Sequence, residues 1–312
     1  MNYLQPIYIE KFKIYDIFHN DNNELVVIMP YIHNPYIIKY NDTPLELYRC
    51  PHSHTLVYKC VTCYTDTVNL SINDCIVNTA VNKYLSFKDQ IVFSTIVKDE
   101  DQFIISWIDF HLKMGVSNFI IYDNSTNSTL PGLLESYKDI VLLIKWNYPY
   151  FDGISGISGQ TTQQNHSIHA FRNSKYIGLF DIDEYINMKG VTDINEFLEI
   201  IIKKENVNIN ETGSFRLLNK FFYNPYNLPV NDGQFLKIFN CDELKHYGNE
   251  KNFVLPKNVN TFSVHMITSG KEMYNVNEKY GYFNHYFFLN KTTRGRNKTN
   301  LTDNSLSIYL NN

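Results

Sequence analysis

The chain has 312 residues, 44% hydrophobic and 19% charged, and its 28 Lys and Arg against 32 Asp and Glu give a formal net charge of −4. This composition excludes an intrinsically disordered chain, and a mildly acidic balance argues against nucleic acid as the main partner, because nucleic-acid-binding proteins usually carry a basic patch. Residues 1–10 lack the pattern of a signal peptide, and no apolar run approaches the roughly 20 residues that span a bilayer, so we expect no transmembrane segment.

Short apolar runs characterise residues 1–88. Examples are residues 25–29, 36–40 and 55–60, which are separated by Asn, Asp, His and Pro. This spacing predicts a small β-rich N-terminal domain. Because no Gly/Ser-rich linker follows it, we expect this domain to pack against the rest of the chain.

Four of the five cysteines, together with two histidines, fall in this N-terminal stretch. Only one close Cys-x-x-Cys pair is present, whereas structural zinc sites usually have two. We therefore favour separate buried thiols, or one disulfide, over a zinc site. The residues concerned are Cys50, Cys60, Cys63, Cys75, His52 and His54.

An alternating pattern of strands and helices begins at residue 91. Residues 91–97 form an apolar, β-branched run that ends in charged residues, which is typical of a buried parallel strand. Apolar residues then recur at three- and four-residue steps over 103–112, and Gly115 ends this predicted helix as a C-terminal cap.

Further strands and helices continue the series. Right-handed crossovers make such a series a parallel sheet covered by helices, with ligands bound outside the carboxyl ends of the strands. We therefore expect Lys98, Asp123 and Asp181 to gather along one edge. The predicted strands lie at residues 119–122, 140–145 and 176–180, and the predicted helices lie at 130–137 and 161–173.

The remainder of the chain is predicted to be mostly strand. A helix at 194–203 is followed by strands at 214–218, 235–239, 259–264 and 282–288. A polar tail after residue 293 is expected to be partly disordered. The chain thus divides into residues 1–88, a main α/β domain at 89–293 and a tail at 294–312.

Two carboxylates one residue apart, Asp181 and Asp183, close the strand at 176–180. Their oxygens are hard ligands suited to Mn²⁺ or Mg²⁺, which can neutralise a departing diphosphate. Such a triplet is common in solvated loops, but here it closes an apolar strand at the expected binding edge. Phosphatases of the haloacid dehalogenase type begin their domain with a similar triplet, which is followed two residues later by Thr or Val. This chain has Tyr185 at that position and three strands before the triplet, so we rank this enzyme class well below.

Separate blocks of this sequence resemble glycosyltransferase family 92 in order and spacing. They are Ile-Val-Lys-Asp-Glu at 96–100, Trp-Ile-Asp-Phe-His-Leu at 107–112, Gly-Val at 115–116, Ile-Tyr-Asp-Asn-Ser at 121–125, Phe-Asp-Ile-Asp-Glu-Tyr at 180–185, the segment 251–265, and Asn-His-Tyr at 284–286 with Arg-Gly at 294–295. The resemblance extends over about residues 91–298. It implies a GT-A fold, which is the Rossmann-like fold of nucleotide-diphospho-sugar transferases, a donor such as UDP-galactose, and inversion at the anomeric carbon.

Position and resemblance together assign roles to the acids and histidines. Asp183 is the expected metal ligand, and Asp181 is expected to contact ribose or metal. Glu184 is expected either to orient both or to face the acceptor. A histidine from the C-terminal strands suits Mn²⁺ as a third ligand, and of the candidates His265 and His285 we favour His265.

The same reasoning assigns the nucleotide pocket to the ends of the first two strands and to the helix before the acid pair. Thr95, Lys98 and Glu100 are expected to line the base and ribose, and Asp123 is expected to add an acceptor. The helix would contribute Gln160 and either Gln163 or Gln164.

An inverting transfer also needs a general base that takes the proton of the acceptor hydroxyl. The acids downstream of the metal pair are Asp232, Asp242, Glu243 and Glu272. We favour Asp242 or Glu243, because they follow the predicted strand at 235–239.

The sequence therefore predicts a metal-dependent hexosyltransferase that uses a nucleotide sugar, Mn²⁺ or Mg²⁺ and a carbohydrate acceptor. The alternatives are an inactive carbohydrate-binding protein of the same fold and a metal-dependent phosphotransferase. Abundant Asn, Ile, Lys, Tyr and Phe indicate an A/T-rich genome, such as that of a large DNA virus. We expect a soluble protein, located in the host cytoplasm or associated with the virion.

Overall fold

A computed structural model describes residues 4–50, 52, 54–84, 86–151, 156–222, 237, 240–244, 248–286 and 301–310. The general-base candidate Asp232 lies outside these residues, as do the Arg-Gly pair at 294–295 and the predicted strand at 235–239 apart from residue 237.

The N-terminal part has nine strands: β1 (Asp16–His19), β2 (Glu24–Pro30), β3 (Ile38–Tyr40), β4 (Thr43–Pro44), β5 (Glu46–Cys50), β6 (Thr55–Val61), β7 (Thr67–Ile72), β8 (Cys75–Ala80) and β9 (Asn82–Lys83). They form two sheets, with the strand orders β5-β6-β2-β1-β9 and β4-β3-β7-β8. Alternate side chains of β2 enter different cores. Leu25 and Val27 belong to the core of this domain, whereas Val26 and Ile28 belong to a core shared with residues after 91. The N-terminal part therefore packs directly on the main domain.

Three of the four N-terminal cysteines, Cys60, Cys63 and Cys75, have described side chains, and these do not converge on a metal site. Cys60, Cys63 and Cys75 are free thiols, and Cys63 and Cys75 are exposed. Among the described residues, the one group of His, Cys, Asp and Glu with metal-binding spacing lies elsewhere and contains no cysteine.

The main domain begins with the predicted alternation of strands and helices. Its elements up to residue 204 are β10 (Ile91–Val97), α1 (Ile104–Lys113), β11 (Asn118–Asp123), α2 (Leu130–Leu133), β12 (Val141–Lys145), α3 (Ser158–Ala170), β13 (Tyr176–Leu179), β14 (Glu184–Met188) and α4 (Ile194–Lys204). Strands then dominate: β15 (Thr212–Leu217), β16 (Asn219–Phe222), β17 (Asn240–Cys241), β18 (Lys251–Val254), β19 (Val259–Ser263), β20 (Met266–Gly270), β21 (Glu272–Asn275), β22 (Gly281–Tyr286) and β23 (Leu301–Thr302).

A seven-stranded sheet with the order β12-β11-β10-β13-β18-β15-β21 organises this domain. Its first four strands are parallel, in the third-second-first-fourth order of a doubly wound sheet. Strand β18 runs antiparallel between β13 and β15. The predicted parallel series is confirmed, and the carboxyl ends of β10, β11 and β13 lie on one edge.

Close packing inside this sheet explains a glycine in the middle of a strand. Gly178 pairs with Phe93 of the neighbouring strand, and the Phe93 ring stacks on Phe180 at 5.2 Å between ring centroids. A Cβ atom at Gly178 would lie 2.6 Å from Cε1 of Phe93. The ring therefore occupies the space that any larger residue would need.

Helix α3 is polar on all sides and yet completely buried. All thirteen residues from Ser158 to Ala170 are buried, between the N-terminal strands β2 and β6 and the main-domain strands β10 and β19. Hydrogen bonds fix it in place: Gln163 donates to Ser94 Oγ at 2.9 Å, and Asn165 donates to the Phe262 carbonyl at 2.7 Å. Directional bonds hold this helix where an apolar stripe would hold most others.

A second, five-stranded sheet with the order β14-β22-β16-β17-β23 continues from the acid turn. The tail contributes to it, since Asp303 accepts from Lys220 Nζ and from the Tyr282 hydroxyl, each at 2.7 Å, and Leu306 is buried. Residues 301–310 of the tail, which was expected to be partly disordered, are therefore part of the folded structure. No helix in the described part of the chain has the length and apolar character to cross a membrane.

The buried ring of His111 makes the free energy of unfolding depend on pH. Its Nδ1–H donates to the Trp107 carbonyl at 2.8 Å, and burial lowers its pKa from 6.5 to about 3. Between these values the unfolded chain binds more protons than the folded chain. The contribution of His111 to stability is thus complete above pH 6.5 and falls as the pH drops towards 3.

We expect His111→Phe to weaken this dependence. The free energy of unfolding of the parent chain should lose about 2 kcal/mol between pH 7 and pH 5 through His111 alone, and the variant should lack that loss. Urea unfolding at both pH values measures it, with exposed His33→Phe as control. An unchanged pH slope in His111→Phe would contradict the assignment.

Candidate active site

The two predicted carboxylates lie in a tight turn between β13 and β14. The Asp181 N–H donates to Glu184 Oε2 at 2.9 Å, and the Glu184 N–H donates to the Asp181 carbonyl at 3.1 Å. Ile182 between the acids is buried in the main core. Because the Ile182 side chain is buried, the side chains of Asp181 and Asp183 point away from the core at the carboxyl edge of the sheet.

The neighbouring strand β22 brings a histidine to this turn. Glu184 pairs directly with His285, and the Tyr286 N–H donates to the Asp183 carbonyl at 2.8 Å. The His285 Nε2 atom lies 3.4 Å from Asp183 Oδ2, and its Nδ1 lies 3.5 Å from Glu184 Oε1. The ligand atoms of Asp183, Glu184 and His285 all lie within 4.8 Å of one another.

This group fits a divalent cation. Two carboxylates and one imidazole form a donor set that suits Mn²⁺. Glu184 is completely buried, its Oε1 has no hydrogen-bond partner among the described residues, and burial beside Asp181 and Asp183 raises the pKa of Glu184 to about 8. A cation would satisfy this oxygen and keep Glu184 ionised.

Lys251, which the sequence analysis did not single out, neutralises part of the acid turn. Its Nζ lies 2.6 Å from Asp181 Oδ2 and 3.1 Å from Glu184 Oε2, and the side chain is 2% exposed. Burial alone would lower the pKa of Lys251, but the two carboxylates outweigh it and raise the pKa above its ordinary value. Burial would likewise raise the pKa of Asp181, and Lys251 instead holds it low.

Helix α3 contacts the other oxygen of Asp181. Gln160 Nε2 lies 3.4 Å from Asp181 Oδ1, so both carboxylate oxygens of Asp181 have partners. Gln163 is bonded to Ser94, and Gln164 Nε2 lies 3.5 Å from the Val264 carbonyl. Of the three glutamines, only Gln160 has a described contact with the acid turn.

The structure does not place His265, which we favoured as the third ligand, in the metal-binding group. Its Nδ1 lies 2.8 Å from the Glu250 carbonyl, and its own carbonyl accepts from Asn252 at 3.0 Å. Burial and the nearby Lys251 lower its pKa, so the ring is neutral near pH 7. His285 lies in that group instead, because β22 pairs with β14.

The expected nucleotide-binding residues lie along the same edge but differ in their surroundings. Thr95 is 2% exposed, and its hydroxyl has no partner in the described part of the chain, whereas Lys98 is exposed with Nζ 5.5 Å from the Tyr150 ring centroid. Glu100 is half-buried. Asp123 is fully buried in an ion pair with Lys145 at 3.0 Å, so its carboxylate is already engaged.

The two favoured general-base candidates follow β17. The Asp242 N–H donates to the Phe221 carbonyl at 2.9 Å, and Phe221 pairs with His285. Cross-strand neighbours point to one face, so Asp242 shares a row with His285 and lies about 10 Å, or two strand spacings, from it. Asp242 is 7% exposed, whereas Glu243 is exposed.

Glu272 lies away from the acid turn. It lines a pocket of about 370 Å³ with Arg216, Lys271 and Met273, and neither Asp181 nor Asp183 lines that pocket. This position gives Glu272 no contact with the acids and histidine described above.

A Rossmann-like sheet with a carboxylate turn at its binding edge defines an α/β protein of the kind predicted for nucleotide-sugar transferases. The family model "Glycosyltransferase family 92" matches residues 91–308, and the chain belongs to this family. This match confirms the predicted family and the glycosyltransferase class. The strand order agrees with the predicted GT-A fold class.

Comparison with solved structures finds more distant similarity. S. aureus TarS is 12% identical over 48% of this chain and 24% of that chain, with a TM-score of 0.30. TarS 1–349 in complex with UDP is 11% identical over 63% and 60%, with a TM-score of 0.38. HddC from Yersinia pseudotuberculosis is 10% identical over 62% and 92%, with a TM-score of 0.36.

The chain thus spans 24% to 60% of the length of these TarS chains. Comparison with curated proteins found no match. The N-terminal β-domain lies outside the residues that the family model covers.

The ion pairs of Lys251 generate a prediction about stability. Lys251→Met keeps the length of the side chain but leaves Asp181 and Glu184 without their shared cation. The metal-free protein should lose about 3 kcal/mol of unfolding free energy, and Mn²⁺ should restore part of that loss.

Urea unfolding with and without Mn²⁺ tests this expectation. The control is Lys271→Met, which breaks an exposed ion pair with Glu211 at 3.0 Å and should cost no more than about 1 kcal/mol. A Lys251→Met protein as stable as the parent without metal would show that Lys251 does not compensate the acids.

Proposed function

We propose that the chain transfers a hexose from a nucleoside diphosphate sugar to a hydroxyl of a carbohydrate acceptor, with inversion at the anomeric carbon. UDP-galactose is the first donor to test, and Mn²⁺ or Mg²⁺ is the required cation. The observation that carries this proposal is the convergence of Asp183, Glu184 and His285 at the carboxyl edge of a family 92 domain.

Asp183, Glu184 and His285 would hold the cation, which supplies positive charge to the diphosphate as it leaves. Asp181 serves this site from the side: Lys251 and Gln160 fix its two oxygens, so its carboxylate is oriented before a donor arrives. A carboxylate that is already oriented can bind ribose or cation without a change in its side-chain conformation during transfer.

The nucleoside would lie over the ends of β10 and β11. Doubly wound sheets bind nucleotides outside the carboxyl ends of their strands. The buried Thr95 hydroxyl without a described partner is a ready donor or acceptor for the base, and exposed Lys98 would lie beside the base and ribose at the same strand end. Asp123 supports this edge through its ion pair with Lys145.

Asp242 is the proposed general base. As the acceptor oxygen forms its bond to the anomeric carbon, the bond from that carbon to the diphosphate oxygen breaks, and the hydroxyl proton passes to Asp242. Asp242 is one strand beyond Phe221 in the same row, and the Phe221 ring lies 5.0 Å from the His285 ring, between the proposed base and the cation-binding group.

Asp183→Asn should remove the response to metal and donor. In the parent chain, UDP with Mn²⁺ should raise the melting temperature, because a ligand that binds the folded state stabilises it. The variant should lose that rise and at least about 100-fold in turnover. Exposed Asp109→Asn is the matched control, and a panel of nucleotide sugars identifies the donor. An Asp183→Asn protein with an unaltered Mn²⁺-dependent rise would exclude Asp183 as a ligand.

Asp242→Asn should lower kcat by roughly 10²- to 10⁴-fold while the melting temperature still rises with UDP and Mn²⁺. The amide keeps the shape of the side chain and cannot take a proton. Steady-state kinetics beside Glu243→Gln decide between the two acids. Loss of turnover in Glu243→Gln, with Asp242→Asn active, would move the role of the base to Glu243.

A further inference from the structure

The N-terminal β-domain reaches helix α3 through a completely buried carboxylate. Asp16 is 0% exposed, and its Oδ2 lies 2.9 Å from Nε2 of His166 on α3. Several other donors surround this carboxylate, so its position is determined from all sides. They are the N–H groups of Ile7 at 2.7 Å and Ile17 at 2.8 Å, the Asn82 amide at 2.9 Å and the Tyr84 hydroxyl.

His166 couples this carboxylate to the main sheet. A carboxylate only accepts hydrogen bonds, so Nε2 of His166 carries the proton and donates to Asp16. The Nδ1 atom of the same ring is hydrogen-bonded to the Tyr122 hydroxyl at 2.7 Å. Asp16, His166 and Tyr122 are all 0% exposed, so no water replaces a bond that is lost.

The helix extends this coupling to the acid turn. Gln160 precedes His166 by six residues, which is about 9 Å along an α-helix. Its Nε2 lies 3.4 Å from Asp181 Oδ1, at the end of α3 that faces the carboxyl edge of the sheet. Because α3 has no apolar stripe, its hydrogen bonds determine where Gln160 lies.

We propose that Asp16 and His166 are positioning residues of the transfer site. They fix the position of α3 and thereby the contact between Gln160 and Asp181, so that a domain outside the family 92 region sets the geometry of donor binding. The consequence for donor binding rests on the proposed function. The geometric coupling does not, since it exists without a donor.

His166→Phe tests the coupling, because it removes both hydrogen bonds of the ring and keeps an aromatic side chain. Exchange of the Asp181 amide hydrogen, which is bonded to Glu184 Oε2 at 2.9 Å, should become about tenfold faster in the folded protein. His166→Gln retains a donor for Asp16 and should recover part of the protection. Val27→Ala, in the core of the N-terminal domain itself, should lower stability without accelerating this exchange.

Donor affinity forms the second measurement. His166→Phe and Gln160→Ala should each weaken UDP binding in the presence of Mn²⁺ by about tenfold, and the double variant should bind no more weakly than either single variant. Two effects that multiply to about a hundredfold would show that His166 does not act through Gln160. Unchanged Asp181 exchange in folded His166→Phe would overturn the proposal outright.

The two measurements separate this inference from the proposed function. If the parent chain binds no UDP with Mn²⁺ while His166→Phe still accelerates exchange at Asp181, the coupling stands and the proposed donor is wrong. If UDP binds normally to every variant and exchange is unaltered, the transferase proposal stands and the positioning role is wrong.

Discussion

Charge compensation at the acid turn is the constraint on which the rest of the site depends. Asp181, Asp183 and Glu184 lie within one turn, and the last of them is fully buried. Three carboxylates this close need cations or protons, because the interior cannot solvate them. Lys251 supplies one positive charge from β18, and the group around His285 offers a place for a second.

Local patterns in the sequence predict the part of the fold that consists of continuous apolar strands. Strands β10, β11 and β13 are such runs, and their shared edge follows from the handedness of crossovers. Strand β18 has only four residues, begins with Lys251 and gives no such pattern. Its insertion between β13 and β15 is a nonlocal pairing, and this pairing brings Lys251 to Asp181.

Nonlocal strand pairing also explains why the sequence does not show which histidine lies beside the acids. His265 and His285 both follow or lie within strands, and nothing in their local sequence indicates which strand pairs with β14. Once β22 pairs with β14, Glu184 and His285 are direct neighbours, and His265 is left at the turn of the β19-β20 hairpin. The sequence does not distinguish the glutamines either. Gln160 and Gln163 lie on one face of the helix, about one turn apart, and only the position of the helix along the sheet determines which of them contacts Asp181.

Helix α3 also determines how independent the two domains are. A helix without an apolar face gains little by packing on one sheet, since its polar groups need partners on every side. The main domain provides Ser94 and the Phe262 backbone, and the N-terminal domain provides Asp16 and the Asn20 amide, which donates to the His169 carbonyl at 3.2 Å. The boundary at residue 88 therefore marks a change of sequence pattern. It does not divide the buried core, which contains residues both before and after residue 88.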